Sequence, residues 1–293
     1  MNILVTGGNG FIGSYLLENL RRKGHRLSSF DRTPKPTLDP RIRQIKGDIL
    51  NLKHLKQVVN RHDAAINLVG KLGTSETIGT PFESLDVNLR GALNFYEAIR
   101  SSKKPAVAIT MGAYTWPNTY SITKYAAERF ALMYNLYHAT KIAVVRAMNV
   151  YGPGQKHAPV RKVVPNFIRW ALANRQLRIY GDGKQRIDLI TVEDCAEILS
   201  RALLRKHKSF DIVFEAGSGK PITVNRLADL VIKLTGSRSK MSHVPMRPGE
   251  PPHSLTQADP AALKRLGITA KVLTPLSVGL KKTIAWYKHH DVP

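Results

Sequence analysis

The sequence predicts an α/β fold: a doubly wound parallel sheet followed by a smaller, mixed α/β C-terminal lobe. Three observations predict it. Short, continuous apolar runs alternate with helical patterns through the first half. A glycine-rich turn, Thr6–Gly13, lies between the first such run and the first helix. After Tyr151 the texture changes, with Gly152-Pro153-Gly154 breaking the alternation. Apolar strands without a polar face are buried on both sides, as happens when helices cover both faces of a parallel sheet.

The elements follow in order. Strands are expected at Asn2–Thr6, Leu27–Phe30, Ile42–Ile45, Ala64–Val69, Ala106–Thr110 and Ile142–Met148, each a short apolar run. Helical spacing runs to Leu20, then over Leu50–Asn60, Phe82–Arg100 and Tyr120–Ala139. In Phe82–Arg100, Leu85, Leu89, Leu93 and Tyr96 share one face. Further helices are expected at Val163–Ala173, Val192–Leu204, Val224–Thr235 and Pro275–His289, with short strands near Leu177–Tyr180 and Ile212–Glu215. Residues 1–152 read as one domain and 153–293 as a smaller lobe, with about 186–216 returning to the first.

Composition narrows the class. The chain has 293 residues and is 43% apolar, enough for a real core, which excludes a wholly disordered chain. Its single cysteine cannot form an internal disulfide, and no cysteine–histidine cluster indicates a metal site. No run of about 18 apolar residues offers a membrane span. The N-terminus runs straight into the glycine turn, without the pattern of a secretory signal, so a cytoplasmic location is expected. The formal charge of +24, from 45 basic and 21 acidic residues, favours anionic partners. It is spread along the chain without the interleaved aromatics of a nucleic-acid surface, and nucleic acid is not the expected partner.

In the glycine turn, Gly7, Gly10 and Gly13 are spaced three apart. Glycine permits a sharp turn and lets a diphosphate approach the backbone. A helix opening at Gly10-Phe11-Ile12 aims its free N–H groups and positive dipole end at that phosphate. This is the signature of a Rossmann-type dinucleotide site. Asp31 ends the second strand, where an acid accepts hydrogen bonds from ribose hydroxyls and favours NAD over NADP. Arg32 beside it could tolerate a 2′-phosphate. Asp48 and Ile49 follow the third strand and are placed to meet the adenine edge.

Tyr120-Ser121-Ile122-Thr123-Lys124 carries the chemistry. Residues four apart share a helix face. An ammonium near a phenol favours the phenolate, and such a tyrosine can take a proton from an alcohol while hydride leaves its carbon. The spacing alone is common. Its place after the fifth strand of a dinucleotide fold gives it weight.

Thr6–Gly13, Tyr120–Lys124, Arg146–Gly154, Gly181–Gln185 and Arg247-Pro248-Gly249-Glu250 together resemble the extended short-chain dehydrogenase/reductases. Within them the chain is similar to the NAD-dependent nucleotide-sugar epimerases and dehydratases, and in particular to UDP-glucose 4-epimerase-like proteins. The resemblance covers nearly the whole chain. It implies a Rossmann sheet with a C-terminal lobe that closes over a nucleotide sugar, NAD as cofactor and a UDP-sugar as substrate. It implies that Leu68, Val69 and Gly70 line the cofactor, that Asn88 braces the sheet beside it, and that Lys71, Thr74, Asn149, Lys162 and Val163 meet the substrate. Tyr180 would stack on the base, Arg247 pair with the diphosphate, and Glu250 hold the ribose. It also implies a homodimer, formed by the helices at Phe82–Arg100 and Tyr120–Ala139 pairing with a second copy.

The chain departs from the family pattern in two places. The turn after the fifth strand is normally rich in serine and threonine; here it is Thr110-Met111-Gly112-Ala113-Tyr114, and the expected hydroxyl falls at Gly112. Thr110 is the first candidate to replace it, with Thr115 and Thr119 as others. The segment up to Tyr120 is also short. In Gln185-Arg186-Ile187-Asp188 the phosphate-binding arginine is one step early, so Arg186 reaches a phosphate only if the backbone bulges. No Asp, Glu, Cys or His lies between Thr110 and Tyr120, which disfavours a dehydratase or a 3,5-epimerising reductase. The expected activity is 4-epimerisation: Tyr120 takes the C4 hydroxyl proton as hydride passes to NAD, the 4-keto sugar turns over, and both return to the other face. A 4-keto-sugar reductase, and a binding protein that has lost turnover, remain alternatives.

Overall fold

The structure is a computed structural model that describes residues 1–35 and 39–290. Strand β1 (Asn2–Thr6) runs through the glycine turn into α1 (Phe11–Arg22), and β2 (Arg26–Asp31) and β3 (Arg43–Lys46) follow. Helix α2 (Leu52–Asn60) leads to β4 (Ala64–Asn67), then α3 (Pro81–Ser84), a π-helical stretch over Leu85–Arg90, and α4 (Gly91–Ser102). Next come β5 (Pro105–Met111), α5 (Thr119–His138), β6 (Lys141–Ala147) and β7 (Asn149–Tyr151). The remainder holds α6 (Val163–Leu172), β8 (Leu177–Tyr180), β9 (Arg186–Ile187), β10 (Leu189–Thr191), α7 (Val192–Leu204) and β11 (Val213–Ala216). It ends with β12 (Ile222–Thr223), α8 (Val224–Thr235), β13 (Met241–Val244), β14 (Leu255–Thr256) and α9 (Leu276–His289).

Among the described residues, seven strands form one sheet in the order β11-β6-β5-β4-β1-β2-β3, all neighbours parallel. The chain enters at β1 in the middle, builds outward to β3, then crosses back to β4 and builds the other way. That reversal leaves a crevice beyond the carboxyl ends of β1 and β4, the usual ligand position in such sheets. Strand periodicity divides the core. Ile3 and Val5 face Leu16, Leu20 and Leu199 on one side, while Leu4 faces Phe30, Phe95 and Tyr96 on the other. Cys195 lies in the first of these layers, fully buried, and burial pushes its thiol up to about 12.

Among the described residues, the later elements build three small sheets, β7 with β10, β9 between β12 and β14, and β8 with β13. Their side chains share a core with α6, α8 and α9, including Phe167, Ile168, Leu227 and Leu280. Strand β11 pairs with β6 at the edge of the large sheet, and α7 packs against α1.

One expected helix differs. The single amphipathic stripe over Phe82–Arg100 is interrupted by the π-helical stretch, whose wider turn rotates every later side chain around the axis. Leu85, at the start of that stretch, is 45% exposed, while Leu89 and Leu93 are half-buried against the core and Phe95, Tyr96 and Ile99 beyond it are buried. The same stretch turns Asn88 inward, where it is buried.

Candidate active site

A cavity of about 780 Å³ lies over the sheet crevice and is closed on its far side by the C-terminal lobe. Its walls come from the loops after β1, β2, β4, β5 and β6 and from the segments around residues 159–167, 178–187 and 246–256. The cavity joins two halves, one against the glycine turn and one against the lobe.

The first half is built as the turn predicts. Gly7 has φ +72°, in the left-handed region, and a Cβ on Gly13 would lie 2.5 Å from the carbonyl oxygens of Gly7 and Gly8. Among the described residues no side chain caps the start of α1 and no acid sits in its first turn, so its leading N–H groups lie beside the cavity that Gly10, Phe11, Ile12 and Gly13 line. A dinucleotide's diphosphate fits that cradle. Asp31, Arg32, Asp48 and Ile49 line the same half, as do Leu68, Val69 and Gly70 opposite. Asn9 ties the turn together: it accepts from the Ser29 hydroxyl (2.8 Å) and donates to the Thr33 carbonyl (2.7 Å), holding the loop that carries Asp31 and Arg32.

Tyr120 and Lys124 stand where the two halves meet. They sit on the first turns of α5, whose cap residue Asn118 accepts from the Ser121 amide (2.9 Å) and donates to the Gly249 carbonyl (2.8 Å). The cap thus joins the start of the helix to the lobe. Lys124 donates to the Ile109 carbonyl (3.0 Å). Burial lifts the Tyr120 phenol to about 12 and draws the Lys124 ammonium down to about 8. The lowering of the phenol expected from its lysine neighbour does not occur here, because removal from water dominates both groups.

In the lobe half, Lys71, Thr74, Asn149, Lys162, Val163, Tyr180, Arg247 and Glu250 all line the cavity. Lys71 pairs with Glu83 (2.5 Å), and the Thr74 hydroxyl donates to Glu250 (2.7 Å). Asn149 donates to the Asp188 carbonyl (3.0 Å) and the Thr256 hydroxyl (3.1 Å). Burial holds the Lys162 ammonium below the usual lysine range. Arg161 donates to the Tyr180 hydroxyl, and the Arg247 guanidinium lies 5.5 Å from the Tyr180 ring centre.

The comparisons with known proteins agree with this geometry. Residues 3–213 match the NAD dependent epimerase/dehydratase family. The chain belongs to that family. It is 30% identical over 318 residues to a UDP-N-acetyl-alpha-D-glucosaminuronate decarboxylase of Bacillus cytotoxicus, covering 97% of each chain. It is 26% identical over 321 residues to a UDP-glucuronate 4-epimerase of Thermodesulfobacterium geofontis, covering 98% of this chain and 96% of the other. Its structure resembles that of a UDP-glucose 4-epimerase with UDP-glucose from Thermotoga maritima, with a TM-score of 0.89 and 26% identity over 98% of this chain and 99% of that one. NAD is the cofactor of the NAD dependent epimerase/dehydratase family, and the glycine cradle, the open start of α1 and Asp31 fit it.

Thr110, Thr115, Thr119 and Arg186 do not take the parts expected of them at this site, and Asn88 supports it from behind. Thr110 reaches the cavity wall, but its hydroxyl donates to Glu128 (2.8 Å), so it does not replace the hydroxyl missing at Gly112. Thr115 is exposed, and neither it nor Thr119 lines the cavity. Arg186 is exposed on β9 and outside the cavity, while Ile187 lines it; the strand runs without a bulge, and the one-step offset turns the arginine outward. Asn88 is behind the wall rather than on it. It accepts from the Lys71 amide (2.7 Å) and donates to the Lys71 carbonyl and the Thr123 hydroxyl (both 3.1 Å), bracing the loop after β4 against α5.

Sequence reading missed what supports the turn after β5. A Cβ at Gly112 would overlap the sulfur of Met148, which fills the place of the missing side chain. Beneath it, Arg146 pairs with Glu128 (2.5 Å) and with Glu215, all three largely buried. Tyr114 of the shortened segment lies over the Arg146 guanidinium at 4.0 Å and against Tyr125 at 5.2 Å. Glu128 falls four residues after Lys124 on the same helix face, a spacing that could have pointed to it.

Proposed function

We propose that this protein is an NAD-dependent nucleotide-sugar 4-epimerase acting on a UDP-sugar. The observation that carries the reading is the position of Tyr120 and Lys124 between the cofactor half and the lobe half, with no Asp, Glu, Cys or His from Met111 to Thr119. Bound NAD supplies a hydride acceptor and donor at C4. Tyr120 takes the proton of the C4 hydroxyl and returns it after the keto sugar has turned. A phenol near 12 is protonated in the free protein, so Tyr120 acts as base only after releasing that proton to solvent, and Lys124, one turn along α5, is the neighbouring charge that favours the resulting phenolate. The lobe half, with Arg247, Lys162, Tyr180 and Glu250, receives the nucleotide. Exposed Ile122, Leu136 and Tyr137 on α5, with Phe82 beside α4, provide the face on which a second copy pairs.

A decarboxylase is the second reading, motivated by the Bacillus cytotoxicus relative. The same C4 oxidation places a carbonyl β to a C6 carboxylate, and loss of carbon dioxide then needs no further acid–base group. Incubating the purified protein with UDP-hexoses and UDP-uronates, without added cofactor, and resolving products by NMR separates the two. A C4 epimer supports the proposal; a decarboxylated product and no epimer moves the assignment to the second reading. Tyr120→Phe is expected to abolish conversion, and full activity in that variant would refute the proton-transfer role.

A further inference from the structure

Arg247 is held from behind by groups that do not line the cavity. Its Nε donates to the Ser75 hydroxyl (3.2 Å) and its Nη2 to Oε1 of Glu76 (2.9 Å), while Nη1 lies 3.4 Å from Glu250. Arg247 faces the cavity; Ser75 and Glu76 do not. A guanidinium has five N–H donors; Nε goes to Ser75, one N–H of Nη2 to Glu76 and one of Nη1 faces Glu250, so one N–H on each Nη remains for a ligand in the cavity that Arg247 lines. The same Oε1 of Glu76 also accepts the backbone amide of Arg161 (3.1 Å), beside Lys162. Oε2 of Glu76 is buried without a partner among the described residues. One carboxylate oxygen therefore joins three segments, 74–76, 161–162 and 247–250, around the lobe half of the site.

We propose that Glu76 is a positioning residue for nucleoside-diphosphate binding: it fixes the Arg247 guanidinium so that its free donors meet the phosphates. This rests on the reading of the protein as a nucleotide-sugar enzyme. A flexible arginine loses much of its advantage over lysine, whereas one anchored at its rear keeps the fork aligned and loses little entropy on binding. Glu76 lies 171 residues from Arg247 in sequence and belongs to none of the motifs that mark the family.

Calorimetry of UDP and uridine binding to the full-length protein tests this. Glu76→Ala is expected to weaken UDP binding about tenfold, equivalent to about 1.4 kcal/mol, and to leave uridine within about twofold. Glu76→Gln keeps the acceptor Oε1 that makes both bonds and is expected to restore UDP affinity to within about threefold of the native value. In an Arg247→Ala background, Glu76→Ala should cost no more than about twofold, the part owed to its bond with the Arg161 amide, because most of its effect passes through Arg247. Glu76→Asp, which withdraws the carboxylate by one methylene, should show the same loss as Glu76→Ala and replaces it where that variant does not fold. Native UDP affinity in both Glu76→Ala and Glu76→Asp overturns the inference, as does an equal loss with or without Arg247. If the native protein binds neither UDP nor any UDP-sugar, the functional reading falls as well; if it binds UDP and Glu76 variants do not differ, only the role of Glu76 falls.

Discussion

Replacing Lys124 with methionine should stabilise the cofactor-free protein while destroying its activity. Lys124 is 6% exposed, and burial draws its ammonium from 10.5 to about 8. At about 1.4 kcal/mol for each tenfold change in proton affinity, the charged amine costs the native state about 3 kcal/mol at pH 7. Methionine removes the charge but leaves the Ile109 carbonyl without its donor, a loss of about 1 kcal/mol. The net gain is about 2 kcal/mol. Its pH dependence has a definite sign. Below pH 8 the amine is protonated in both states and the penalty is complete. Between about pH 8 and 10.5 the native protein releases the proton while the unfolded chain keeps it, so native stability rises with pH. Tyr120, with its phenol raised to about 12, acts the opposite way above pH 10, but does so in both proteins and cancels from their difference. Urea unfolding of native and Lys124→Met proteins from pH 7 to 10 measures the gap. It should be widest at pH 7 and narrow steadily above pH 8. A variant less stable than the native protein at pH 7, or a gap that does not change with pH, would refute the claim that this lysine is kept for chemistry against its solvation cost.

Arg146→Met should destabilise the fold by about 3–5 kcal/mol in the same urea assay, because it leaves the buried Glu128 carboxylate uncompensated. Gly112→Ser should lower the melting temperature, since its side chain overlaps the Met148 sulfur at a cost of about 1–3 kcal/mol; adding Met148→Ala should recover that loss, and a double variant no more stable than the single one would contradict the packing account. Gly13→Ala places a methyl 2.5 Å from two carbonyl oxygens, and the purified variant should carry markedly less bound NAD than the native protein, measured by absorbance after denaturation. Analytical ultracentrifugation checks the face on α5: Leu136→Lys with Tyr137→Lys should shift a dimer to monomer without changing the circular dichroism spectrum.

The parts of the fold legible in the sequence are those set by local rules. The alternation of apolar runs and helical spacing marks the sheet strands because each run is buried by its own neighbours, and the glycine turn is marked because its backbone needs φ > 0 at Gly7 and close approach at Gly13. Tyr120 and Lys124 are legible because four residues make a helical turn. The π-helical stretch at Leu85–Arg90 is not, since a single wider turn leaves the apolar composition unchanged while shifting its phase. Arg186 is an intermediate case: strand alternation alone foretells that it faces outward, provided the strand is regular, and β9 is regular.

What escapes the sequence is the company each charge keeps. Thr110 looks like a free hydroxyl until β5, α5 and β6 bring it to Glu128 and Arg146. Arg247 looks like an open phosphate ligand until the loop after β4 brings Glu76 behind it. The net charge of +24 misleads for the same reason. Acids are scarce in this chain, 21 against 45 bases, yet Glu76, Glu83, Glu128, Glu215 and Glu250 all sit on cations at or just beneath the cavity. The cations of the site are therefore oriented by local partners, and their hold on a ligand depends on hydrogen-bond geometry more than on the protein's overall charge. The remaining excess, spread along the chain, acts on anions at longer range and is screened by salt within about 10 Å at 0.1 M. Approach and grip are thus set by different residues, and only the second set can tell one nucleotide sugar from another.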